Sequence, residues 1–197
     1  MKDKVVVGSE EWCSFPTLGI PTIKARVDSG AKTSALHAIN IKNFQKDGQE
    51  WVKFDINPIQ NNAKTVIHCE AALVDQRVVK SSSGFRERRY VIRTHLEIGG
   101  KRWEVEVTLT NRDSMGFRML LGREAMSGRI LVDPEQKYLL GQPSNEKLKE
   151  YYYTESSEKR GLRIGVLASN PELYSNKRIM EAGELRGHEM HFLNLKY

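Results

Sequence analysis

The chain has 197 residues, 39% hydrophobic and 28% charged, with a net charge of +6. That suits a soluble domain with a real core, alone or with part of a second, and no apolar run is long enough to span a bilayer. The basic balance favours acidic partners: nucleic acid, an anionic surface or an acidic peptide.

The opening, MKDKVVVGSEEW, lacks the apolar core of a secretory signal. Cys13 and Cys69 are too few for a disulfide scaffold and suit a reducing, cytoplasmic setting. Short strands are expected at KVVVG, TIKARVD, EWVKFDI, TVIHCEAALV, RYVIRTHLEI and KRWEVEVTLT, where β-branched and aromatic residues alternate with polar ones. KDGQ, NPIQNN, SSSG and IGGK mark turns between them. This spacing implies a mostly β barrel or sandwich. GREAMSGR reads as one short helix, and VDPEQKYLLG as a turn followed by a closing strand.

Residues 143–160 are polar and charged and read as a linker. Beyond it, LRIGVLA, LYSNKRIMEAGELRG and HEMHFLNL give a strand, an amphipathic helix ending at Gly187 and a second strand. One β-α-β unit cannot cover its own sheet faces, so 161–197 reads as the truncated start of an α/β domain.

Two motifs carry chemistry. RVDSGAKTSAL runs a strand into a tight turn at Asp28, Ser29, Gly30 and Ala31. Alone, Asp-Ser-Gly is a common turn. As a site, Asp28 would act on water beside a second carboxylate, since two close carboxylates share one proton. Gly30 would supply backbone freedom, Ser29 a hydrogen bond to a partner loop, and the small Ala31 room for substrate. MLLGREAM sets Gly122 and Arg123 between an apolar strand and a short helix. Between the motifs, residues 76–93 hold Arg77, Lys80, Arg86, Arg88, Arg89 and Arg93 against one acid, Glu87. Within them, KSSSGFRERRY reads as a mobile hairpin tip pivoting at Gly84.

Together the motifs resemble the retroviral-type aspartic peptidase pattern, and most closely its bacterial RimB-like branch, a family also labelled ATP-dependent zinc protease. The resemblance covers about residues 4–142 and rests on RVDSGAKTSALHA, GFRERRYVI and MLLGREAM. It implies a retropepsin-like closed barrel over 1–142, a flap hairpin, and a homodimer with one Asp28 from each subunit. Gly122 would pack beneath the Asp28 loop. The 161–197 tail is similar to the opening of a RimK-type ATP-grasp ligase, which adds glutamates to a small-subunit ribosomal protein. The peptidase would then trim an acidic tail that such a ligase, itself a possible partner, builds.

Viral relatives carry apolar residues where this chain has Arg26 and Arg118. They often carry an acid at Lys32 that pairs with the arginine after Gly122, so Arg123 cannot make that dimer-edge pair here. Arg26, Lys32 and Arg118, with flap residues Arg86, Arg88 and Arg89, would bind glutamate carboxylates, as guanidinium forks do. Arg26 and Arg118 are expected to point into the pocket.

Two rival readings predict different chemistry. A zinc peptidase needs clustered ligands, but HEMH spaces His188 and His191 three apart, and His37, His68, Cys69 and His95 are scattered. No metal is expected. A non-catalytic module could bind RNA or an acidic peptide, but only Phe85 and Tyr90 interleave the flap cations, so nucleic acid is not expected. GLRIGVLASN lacks the dinucleotide glycine pattern, and no cofactor is expected.

Overall fold

Alternation of period two shapes most of the first unit of this computed structural model, which describes residues 4–60, 62, 64–80, 84, 86–152, 163–184 and 189–195. The chain divides into two compact units, Met1–Ser144 and Asn145–Tyr197. In the first, β1 (Val5–Val7), β2 (Glu10–Phe15), a 3-10 turn (Pro16–Leu18), β3 (Ile20–Asp28), β4 (Ser34–His37), β5 (Ile39–Lys46) and β6 (Gln49–Ile56) come in order. The long strands β7 (Ile67–Lys80) and β8 (Arg86–Ile98) follow, then β9 (Lys101–Thr110), β10 (Met119–Gly122), the one-turn helix α1 (Arg123–Met126) and β11 (Ile130–Val132).

Six strands close a barrel in the order β2-β3-β10-β4-β9-β8, with Ser14 of β2 returning to Glu97 of β8. Closure leaves these strands no free edge among themselves. β7, β6 and β5 continue the sheet outward from β8, and β1 pairs parallel with β11. On β3, Ile23, Ala25 and Val27 face the core while Lys24, Arg26 and Asp28 face out. The interior is filled by side chains such as Phe15, Ile20, Leu36, Ile92, Leu96 and Leu121, all essentially inaccessible. Burying each stabilises the fold by about 1.5–3 kcal/mol.

In the second unit α2 (Asn145–Tyr152) leads to β12 (Arg163–Ala168), α3 (Tyr174–Glu184) and β13 (Glu189–Asn194), and β12 pairs parallel with β13. A two-stranded sheet leaves apolar residues uncovered, and Leu167 is 62% exposed.

The structure corrects two expectations. Part of the expected 143–160 linker is helix α2. The closing strand is β11, ahead of the turn that follows Asp133, not after it. Helix α3 is described as far as Glu184, and the expected end at Gly187 lies outside the described residues. At the hairpin tip Gly84 has φ of +85°, a left-handed value that glycine adopts without strain; residues 81–83 and Phe85 lie outside the described residues.

Candidate active site

Asp28 ends β3, and its carboxylate shapes the turn that follows. Oδ1 accepts hydrogen bonds from the backbone N–H of Gly30 at 2.9 Å and of Ala31 at 3.1 Å. Gly30 does not adopt positive φ, so the expected need for backbone freedom is corrected. What glycine supplies is space, since a Cβ there would sit 3.2 Å from Asp28 Oδ1.

Gly122 lies beside Asp28 in parallel register. A Cβ on it would fall 2.5 Å from the carbonyl carbon of Thr33 and 2.8 Å from the nitrogen of Ser34. The contact is with backbone, which cannot swing away. Gly122 N–H donates to Ser34 Oγ at 3.0 Å, while Thr108 Oγ1 donates to the Ser34 carbonyl at 2.9 Å. The start of α1 completes the clamp. The Arg123 and Glu124 N–H groups donate to the carbonyls of Ala31 (2.8 Å) and Lys32 (3.1 Å), and Arg123 Nη1 to that of Ser29 (3.1 Å). The Ser29 side chain stays exposed.

Beside Asp28 opens a cleft of about 850 Å³. Its walls include Gly30, Ala31, Lys32, Arg77, Lys80, Arg89, Arg112 and Leu120, and Asp28 is the one acid lining it among the described residues. A carboxylate therefore opens onto a basic cleft.

Residues 6–143 match the family model of the retropepsin-like aspartic endopeptidase RimB. The chain belongs to the RimB-like family. Its closed six-stranded barrel suits the retropepsin-like fold. Residues 162–197 match the RimK pre-ATP-grasp domain, here its N-terminal part. The chain is similar to a probable alpha-L-glutamate ligase of Shewanella halifaxensis, 58% identical over 98% of this chain and 42% of the relative. It is likewise similar to one of Parasynechococcus marenigrum, 57% identical over the whole chain and 42% of the relative. The chain thus spans less than half the length of these relatives. A solved Legionella pneumophila protein of unknown function matches with a TM-score of 0.58 at 25% identity, covering 70% of this chain and 98% of that one.

Not all of the expected RimB-like site residues reach the cleft. Arg26 shares the outer face of β3 with Asp28, but its Nη1 turns to Glu10 Oε1 at 3.4 Å, and its guanidinium lies 6.0 Å from the Phe117 ring. Glu10 also binds Lys137 at 2.6 Å, Lys24 at 3.3 Å and Tyr138 Oη at 2.5 Å. Burial alone would raise the Glu10 pKa, but these partners outweigh it and hold it at about 2.

Arg118 is buried away from the cleft. Its Nη1 binds Asp113 and lies 3.5 Å from His37 Nε2. It stands four residues before Gly122, roughly 13 Å along the strand direction, and the 111–117 loop turns back toward His37 beside it, for Arg112 N–H donates to His37 Nδ1 at 3.0 Å. Burial foremost, then the charge of Arg118, holds the His37 pKa below its ordinary value, which favours the neutral ring that can accept that bond.

Lys32 lines the cleft, and its Nζ lies 3.7 Å from Glu124 Oε1. The expected loss of the acid–arginine pair thus comes with a lysine–glutamate contact one residue further on. At the flap, Arg89 reaches the cleft, with its Nε donating to Glu87 Oε2 at 2.7 Å. Arg88 lines a separate groove of about 390 Å³, and Arg86 lines neither. Arg77, counted in the basic run 76–93 but not expected to bind substrate, and Arg112, absent from the sequence expectations, both line the cleft. On β7 the cleft is lined by four consecutive residues, Arg77, Val78, Val79 and Lys80, so alternation does not mark Arg77 as a cleft residue. Arg112 sits on an irregular loop and gives no periodic signal.

Burial pushes the thiols of Cys13 and Cys69 up to about 12, with nearby Glu11 and Asp55 adding to it, so both stay protonated as packing groups. Among the described residues no group of three or more His, Cys, Asp or Glu is placed to hold a metal ion.

Proposed function

We propose that the RimB-like unit is an aspartic peptidase that works as a homodimer and hydrolyses peptide bonds in glutamate-rich tails. The observation that carries this reading is a lone carboxylate, Asp28, opening onto a cleft whose charged lining is otherwise cationic. Both backbone donors fall on Oδ1, leaving Oδ2 without a hydrogen-bond partner among the described residues. One protomer brings one such group, and the chemistry needs two.

With a second Asp28 from a partner copy, the pair shares one proton because two adjacent carboxylates cannot both ionise. The ionised member takes a proton from water as its oxygen attacks the scissile carbonyl carbon. The protonated member gives its proton to the carbonyl oxygen. Collapse of the tetrahedral intermediate breaks the C–N bond, and the amine leaves with a proton from the pair. The cations lining the cleft favour a substrate rich in carboxylates. The physiological substrate is then the glutamate tail that a RimK-type ligase builds on a small-subunit ribosomal protein. A RimB-like unit and a RimK-like segment in one chain support that pairing, as do relatives named as alpha-L-glutamate ligases.

The test is incubation of the full chain with a peptide ending in several glutamates, with and without a chelator, and products followed by mass spectrometry. Glutamate loss unaffected by the chelator is expected. Cleavage that the chelator abolishes overturns the carboxylate mechanism in favour of a metal-dependent one. Binding without cleavage makes the unit a recognition module.

A further inference from the structure

We infer that Arg112 is the residue that selects glutamate beside the scissile bond, receiving that side chain's carboxylate on its guanidinium. The inference rests on the peptidase reading and deepens it.

Arg112 differs from the other arginines lining the cleft. Arg77 already binds Asp75 at 2.9 Å and Glu106 at 2.5 Å, and Arg89 binds Glu87. Arg112 is 6% exposed, yet no carboxylate among the described residues lies within ion-pair distance of it. Its Nε donates to the Phe117 carbonyl at 3.0 Å, so the guanidinium is aimed by its own loop. A buried cation with no counter-ion is costly, and its pKa is lowered by burial first and by the charge of Arg89 second. The opposing influence is Asp28, the acid of the same cleft. A carboxylate entering the cleft therefore meets a guanidinium already desolvated and close to the catalytic group.

The surrounding loop is braced before any substrate arrives. Arg112 N–H is tied to His37, and Met115 N–H closes on the Arg112 carbonyl at 2.9 Å. Asp113 N–H donates to Asn111 Oδ1 at 2.9 Å, and the Asp113 carboxylate is held by Arg118. His37 N–H in turn donates to the Arg118 carbonyl at 2.7 Å. Arg118, expected from sequence to bind substrate, here helps position Arg112. A preorganised fork loses little entropy on binding a carboxylate.

The test compares the full chain with Arg112→Gln and Arg112→Lys on a glutamate peptide and on peptides in which each glutamate in turn is replaced by glutamine. The wild type shows one position near the cut where glutamine lowers kcat/KM by about 100-fold. Arg112→Gln collapses that preference to within a few-fold and leaves the preferences at other positions in place. Arg112→Lys, which keeps the charge but not the fork, restores part of it. An equal loss on every peptide would show a merely structural role and overturn the inference. Binding of a labelled glutamate peptide is measured in parallel on Asp28→Asn and on Asp28→Asn combined with Arg112→Gln. About 100-fold weaker binding in the double variant is expected, and unchanged binding overturns the inference whether or not the wild type cleaves. Failure of the wild type to cleave any peptide counts against the peptidase reading alone.

Discussion

Asp28→Asn removes peptide cleavage, by about 10³-fold or more, and leaves the protein folded with nearly unchanged stability. The two halves of this result have different physical causes. The turn is built on Asp28 Oδ1, which accepts from Gly30 and Ala31 N–H. An asparagine carbonyl oxygen accepts the same two bonds at the same length. What the amide cannot do is hold a proton that passes between two carboxylates, so water is not activated and the carbonyl oxygen is not protonated. Thermal unfolding and circular dichroism check the fold, and peptide cleavage checks the chemistry. A variant that still cleaves would place the reaction elsewhere.

Gly122→Ala has the opposite character, harming the fold first and activity through it. The added methyl would sit 2.5–2.8 Å from Thr33 and Ser34 backbone atoms, far inside contact distance, and the Gly122–Ser34 hydrogen bond lies at the same spot. Overpacking of this kind costs about 1–3 kcal/mol, and here relief requires moving the loop that carries Asp28. We expect a loss near the upper end, read from denaturant unfolding, with cleavage falling further than the unfolded fraction explains. Gly30→Ala is the contrast, since its Cβ approaches one side-chain oxygen at 3.2 Å and a small shift accommodates it. Equal behaviour of the two variants would contradict the clamp described for Gly122.

These residues were legible in the sequence because their demands are local: a strand running into Asp-Ser-Gly, and a glycine between an apolar strand and a helix start. The same holds for β3 and for β6 to β9, where alternation is long enough to see. Two of the strands not anticipated lack that signal. β4 has four residues, all buried; β2 opens on two glutamates, both buried. Glu11 is satisfied by N–H groups of Gly8 and Leu139, each at 2.8 Å, and the second of these is a distant partner. Arg26 shows the limit of a face argument. Alternation correctly sets it on the side of Asp28, but Glu10, brought alongside by the pairing of β2 with β3, turns its charge aside. Arg112 enters the cleft by way of a loop anchored to His37, a contact between residues 75 positions apart, which no local pattern reveals.

The central claim is that two copies each contribute one Asp28, and mixing tests it most directly. Wild-type chain is combined with rising proportions of Asp28→Asn at fixed total concentration, allowed to exchange subunits, and assayed on the glutamate peptide. If the pair is shared, only dimers with two wild-type copies cleave, and activity falls with the square of the wild-type fraction, to about one quarter in an equal mixture. A linear fall to about one half would mean that each chain carries a complete site, contradicting the shared-carboxylate mechanism.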